Sequence, residues 1–224
     1  MGAVHIALYA EGARELMGAG GWPTAPGDVL QADELGAAHR LLARIVAAQT
    51  NLPDGAIRFL SPIRDRRGRQ LRGSLLHGGD HLRRALLAHE LVGKTNDGRP
   101  SADAFVVLVD ADGDASRHTS IVEGLAGVVV PKVVGVAVQE FETWLIADLP
   151  ALNDVLGTQV DDPGPRESLP PGGAKAFLLD RLQGQREQDV RLTLAERVDI
   201  EVVRQVCPSF DRFVKDLCDT LLAL

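Results

Sequence analysis

The sequence predicts an α/β fold: a mostly parallel sheet flanked by helices, with a helical C-terminal extension. Three observations carry this. Apolar, mostly β-branched runs at Val4–Tyr9, Phe105–Val109 and Lys132–Val138 lack polar alternation, as strands buried on both faces do. Each run stops at carboxylates or turn residues: Glu11-Gly12, Asp110-Ala111-Asp112-Gly113-Asp114, and Gln139-Glu140. Segments of helical periodicity separate the runs, and the chain beyond Leu149 is mainly helical in pattern.

The 224 residues, 45% of them hydrophobic, suffice for one sizeable α/β domain with a small appendage. The expected division is an α/β domain over 1–150 and a helical extension over 151–224 that packs on it. Aromatic content of 4% leaves the core to Leu, Val and Ala. A net charge of −7 excludes a general nucleic-acid coat, so any such contact needs a local basic patch. The two cysteines, Cys207 and Cys218, fit a reducing compartment and form no metal-type spacing. The N-terminus enters a strand-like segment without a basic n-region, no apolar run nears membrane-spanning length, and Ile6 stands where a myristoylation motif wants Ser or Thr. A soluble, cytoplasmic protein with no membrane contact is expected.

In chain order, Val4–Tyr9 is the first strand, and Gly12 permits a tight turn or a close backbone approach. Glu15 would share a face with Glu11 if a helix starts there. Residues 18–27 are rich in Gly and Pro and form a loop. Leu35, Ala38, Leu42, Ile45 and Val46 give a helix over Glu34–Gln49. Ile57–Leu60 is a short strand and Gly79–Val92 an amphipathic helix. Asp103 closes a polar loop ahead of the central strand, and Ser116–Leu125 is a helix. Phe141, Trp144, Leu145 and Asp148 follow the i, i+3, i+4, i+7 rule, so Gln139–Asp148 is expected to open a helix at a strand end. Asp161–Gly173 is expected to be a mobile loop. Helices follow over Ala174–Leu182, Asp189–Arg197, Ile200–Val206 and Ser209–Leu222, with Pro208 as breaker and starter.

The candidate site lies where open α/β sheets bind ligands, beyond the carboxyl ends of their strands. Asp110, Asp112 and Asp114 are hard oxygen ligands of the kind Mg²⁺ takes. The same Asp-x-Asp-Gly also suits an Asx-rich turn or a helix N-cap. Glu140 and Glu142 lie at another strand end, where a helix macrodipole also favours acids. Arg64, Arg66, Arg67, Arg69 and Arg72 form a loop-like basic stretch. It reads either as an arm gripping a nucleic-acid backbone or as a solvated loop paired with the chain's own acids. His77, His81 and His89 lack zinc-site spacing.

Glu11-Gly12, Asp110-Ala111-Asp112 and the Gln139–Asp148 segment together resemble the Toprim domain, the metal-binding fold of topoisomerases, primases and OLD-type nucleases. Gln139-Glu140-Phe141-Glu142-Thr143-Trp144-Leu145-Ile146-Ala147-Asp148, followed by Cys207-Pro208-Ser209-Phe210, is similar to a small stand-alone bacterial Toprim-like family. That family includes the Toprim effector (AriB-like) of PARIS-type anti-phage systems, which work with an ABC-type ATPase. The chain departs from the family pattern at Ala13-Arg14-Glu15. The resemblance implies a Toprim-like Rossmannoid sheet and a divalent-metal-dependent phosphodiester hydrolase, a nuclease acting as a defence effector. Glu11, Asp110 and Asp112 would be catalytic and would hold Mg²⁺ (or Mn²⁺), with Glu142, Asp114 and Glu140 as further ligands. DNA or tRNA would be the substrate, held by Arg64, Arg66, Arg67, Arg69 and Arg72, and an ABC-type ATPase the partner; a homodimer is allowed. The single tyrosine, Tyr9, sits inside the first strand and is poorly placed as a nucleophile, which favours metal-activated water. The competing expectation is a non-catalytic Toprim-like module that docks on a partner protein through its acidic face, motivated by the net charge and the helical C-terminus.

Overall fold

The computed structural model describes residues 3–20, 27–50, 52–53, 55–63, 79–92 and 98–224. Four strands, β1 (Val4–Ala10), β2 (Ile57–Leu60), β3 (Ala104–Asp110) and β4 (Lys132–Ala137), form one sheet in the order β2-β1-β3-β4. Every pairing is parallel, with Leu8 beside Val106 and Val107 beside Val134. Strand order reverses direction between β1 and β3, so their carboxyl ends flank the crevice where such sheets bind ligands.

The buried strands send alternate residues to opposite faces. Ile6, Leu8 and Ala10 of β1 join Val106 and Leu108 of β3 in one apolar cluster. Ala7 and Tyr9 join Phe105, Val107 and Val109 in the other. Helices α3 (Gly79–Val92) and α4 (Arg117–Gly124) cover the second face with Leu82, Leu86 and Ile121. The first face takes α2 (Ala37–Gln49) and the C-terminal helices, giving three layers. This larger cluster runs without a break from Ile6 to Leu221.

Short helices shape the strand ends: α1 (Ala13–Leu16), α5 (Glu142–Leu145) and α6 (Leu149–Leu156). Then follow α7 (Gly173–Leu179), α8 (Glu187–Arg197), α9 (Ile200–Val206) and α10 (Pro208–Leu222). The expected single helix over Gln139–Asp148 is instead one turn, α5, and Asp148 begins the next helix. Its side chain accepts from the Ala151 N–H at 3.2 Å as the N-cap of α6, with Pro150 in the first turn. The apolar periodicity is real, but a capping carboxylate interrupts it. The Asp161–Gly173 segment, expected to be a mobile loop, contains a 3-10 turn (Arg166–Ser168), and its Arg166 is buried. Arg166 donates from Nε to the Ile146 carbonyl at 3.1 Å, and so satisfies a carbonyl left open at the end of α5.

Trp144 holds the extension to the sheet. It is buried, stacks on Phe213 (centroids 5.6 Å, planes 14° apart), meets Phe210 edge-on at 5.1 Å, and donates from Nε1 to Ser209 Oγ at 3.0 Å. Gly135 of β4 makes room for this aromatic layer, because a Cβ there would lie 2.7 Å from Phe213 Cδ2. The Trp144 and Ser209-Phe210 motifs are therefore packing residues. Trp144→Ala is expected to cost about 3–5 kcal/mol of stability, read by urea denaturation.

Candidate site at the carboxyl ends of the strands

Four of the six candidate acids converge at the strand ends, and Glu15, not among the candidates, joins them. Glu11 follows β1, Asp110 ends β3, Glu140 follows β4 and Glu142 opens α5; with Glu15 of α1 they line a pocket of about 350 Å³. Glu11 and Asp110 are adjacent, the Asp110 N–H donating to Glu11 Oε2 at 3.2 Å. Asp112 and Asp114 are exposed on the β3–α4 loop and do not line this pocket. Arg64, Arg66, Arg67, Arg69 and Arg72 lie outside the described residues, as does His77.

The pocket is closed by the chain's own cations and N–H groups. Glu11 Oε2 accepts from Nη2 of the buried Arg117 of α4 at 2.8 Å. Asp110 Oδ1 accepts from the Phe141 N–H at 2.8 Å, and Glu140 Oε1 from the Lys175 N–H of α7 at 2.6 Å. Glu142 is ion-paired with Arg191 of α8, both side chains being almost wholly buried. Arg191 also pairs with Glu187 at 3.0 Å, and Glu187 in turn with Arg14. Glu15 folds back so that Oε2 accepts from the Gly12 N–H at 3.1 Å. A Cβ on Gly12 would sit 2.1 Å from Glu15 Oε1. The glycine of Glu11-Gly12 thus makes room for an internal carboxylate.

Burial pushes the Asp110 carboxyl up to about 8, reinforced by the nearby charges of Glu15 and Glu11. Burial likewise raises Glu15 to about 7, against the Gly12 N–H and Arg191, which favour its ionised form. Both groups therefore hold protons in a range where an ordinary carboxylate has lost them.

The expectation of a Mg²⁺- or Mn²⁺-dependent nuclease is corrected here. Among the described residues no group of three or more His, Cys, Asp and Glu side chains is arranged to hold a metal ion. The acids assigned as ligands are the right type in the right region, but Glu11, Asp110, Glu140 and Glu142 point their oxygens at Arg117, the Phe141 N–H, the Lys175 N–H and Arg191. Asp114 Oδ1 accepts from the Ser116 N–H at 2.8 Å and its hydroxyl at 2.7 Å. So arranged, the acids form no site for the cation, which argues against the metal-dependent hydrolysis expected of Glu11, Asp110 and Asp112.

Tyr9 is fully buried, hydrogen-bonded to His89 Nδ1 at 2.9 Å, and accepts from the Ile63 N–H at 3.2 Å. Burial lowers His89 to about 4. Sequence reasoning did not assign Arg191, Arg117 or Lys175. Arg191 carries one visible signal, a charge between the apolar Val190 and Leu192 in a helical segment.

The family model DUF4276, described as a domain of unknown function, matches residues 34–218. That span includes Asp110–Asp114, Glu140–Asp148 and Arg191, and leaves out β1 and Glu11. No curated protein and no solved structure matches the chain. Among the described residues no helix is long and apolar enough to cross a membrane.

Arg191→Met is expected to destabilise the fold by about 3–5 kcal/mol, because it strands Glu142 without its cation. The double change Arg191→Met, Glu142→Leu should recover most of that loss in the same denaturation series. Folded-state values raised above those of the unfolded chain give stability that is full below about pH 4 and is lost as pH rises through about 7 to 8. The Tm should therefore fall between pH 6 and 9 by about 5 °C, and Asp110→Asn should flatten the slope in a calorimetric pH series.

Proposed function

We propose that this chain, which belongs to the DUF4276 family, is a non-catalytic binding module that docks on a partner protein through the acidic loop at the carboxyl end of its sheet. The observation that carries the reading is a division of labour among the acids. Those inside the pocket are bound by the chain's own donors. Asp112 and Asp114 are exposed on a loop already fixed in shape, Asp114 by its own hydrogen bonds from Ser116. Asp112 adopts φ 49° and Gly113 φ 80°, both in the left-handed region. The Asp114 N–H donates to the Ala111 carbonyl at 2.8 Å, and the Ala111 N–H continues the ladder to Ala137 at 2.9 Å. A preordered pair of carboxylates presents negative charge with little ordering entropy left to lose on association. The net charge of −7 steers a basic partner toward it.

The resemblance to the small Toprim-like family supplies both the finer fold name and a first partner to try, an ABC-type ATPase. The test is biolayer interferometry of the full chain against an ABC-type ATPase of the kind that the resemblance names, at low and high salt. Wild type should bind, more weakly as salt rises, and Asp112→Lys with Asp114→Lys should weaken binding at least about tenfold, mainly in the association rate. Equal affinity of wild type and the double variant would refute docking through this loop.

A further inference from the structure

A second surface lies at the opposite edge of the molecule from β2, and it is independent of the acidic loop. Strand β4 is an edge strand. The carbonyls of Pro131 and Ala137 face β3, where they accept from Phe105 at 2.8 Å and Ala111 at 2.9 Å. By strand alternation the N–H and C=O groups of Lys132, Val134 and Val136 point away from β3. They find no hydrogen-bond partner among the described residues.

This open edge is recessed. A pocket of about 450 Å³ runs along it, with α4 on one side and α10 on the other. The α4 side is mainly apolar, made by Val122, Leu125 and the β4 residue Val134, with His118 its polar member. The α10 wall is polar and acidic, with Asp216, Asp219 and Thr220. Asp216 and Asp219 are both exposed. The cation nearest the strand, Lys132, has its ammonium turned to the Val128 carbonyl at 3.0 Å. Val122, on the apolar side, is 44% exposed.

We propose that this groove receives an extended peptide segment of a partner, which adds a strand to β4 and alternates apolar with basic residues. Backbone pairing to Val134 and its outward neighbours supplies register. Side chains of an added strand alternate between the two walls. One set meets Val122 and Leu125, and the other meets the carboxylates of Asp216 and Asp219, so charge complementarity selects Lys or Arg at every second position. A second copy of this chain fits the groove poorly. Its own β4 is sunk between two helices, and a two-fold pairing would set the acids of one α10 against those of the other.

The experiment is fluorescence anisotropy of the full chain with a labelled eight-residue peptide of alternating lysine and valine. Three controls accompany it: glutamate in place of lysine, N-methylation of alternate peptide nitrogens, and sedimentation of the chain alone. The lysine peptide should saturate, the glutamate peptide should bind at least about tenfold more weakly, and N-methylation should abolish binding. Asp216→Lys with Asp219→Lys should reverse the preference between the lysine and glutamate peptides while leaving the Tm within about 2 °C. Absence of saturable binding overturns the proposal. Binding that survives N-methylation or ignores the charge reversal overturns strand addition at this edge. A concentration-dependent dimer that excludes the peptide assigns the edge to a second copy instead.

Discussion

A guanidinium buried at the carboxyl end of a parallel sheet is the constraint on which the rest of this structure depends. Taking Arg191 out of water is costly unless its charge is met at short range. Glu142 and Glu187 meet it. Because Arg191 belongs to α8 and Glu142 to the turn after β4, the pair fixes the helical extension over the strand ends. Glu15 and Asp110 are then largely buried beside them, and burial favours the protonated carboxyl. The acids that look like a cation site by composition are the counter-charges and hydrogen-bonding groups of an internal seal.

The second support is apolar. Trp144, two residues on from Glu142, projects from the other side of α5 and packs on Phe210 and Phe213. The ion pair and the aromatic layer thus sit on opposite faces of the same short helix, α5. Four residues of helix have little stability of their own. Their conformation is imposed by what they touch on either side, and Arg166 and Asp148 complete the hydrogen bonding at its exit.

The sheet was legible because strands buried on both faces leave continuous β-branched runs, and β1, β3 and β4 came within a residue or two of their observed limits. The convergence of Glu11, Asp110, Glu140 and Glu142 was legible for a related reason. Parallel strands all end on one side, so whatever follows them is neighbourly. What those acids do was not legible. An arginine 49 positions after Glu142 has no periodicity linking it to a strand end (191 minus 142). Without Arg191, Arg117 and the Lys175 N–H the cluster reads as open. The most family-like segment, Gln139 to Asp148, reads as a single helix, because a capping aspartate and a helical one occupy the same place in an i, i+7 pattern.

Asp148 has a further consequence. One oxygen caps α6 through Ala151, and the other accepts from the Asp199 N–H at 2.8 Å. Asp199 itself caps α9 through Glu201 and Val202. Two helices that begin 51 positions apart are therefore tied to one carboxylate. Fraying at the start of α6 takes the acceptor from the Asp199 N–H, and fraying at the start of α9 takes a donor from Asp148, so the two starts are expected to open together. The extension behaves, in hydrogen-exchange terms, as one cooperative unit rather than as a row of separately fraying helices.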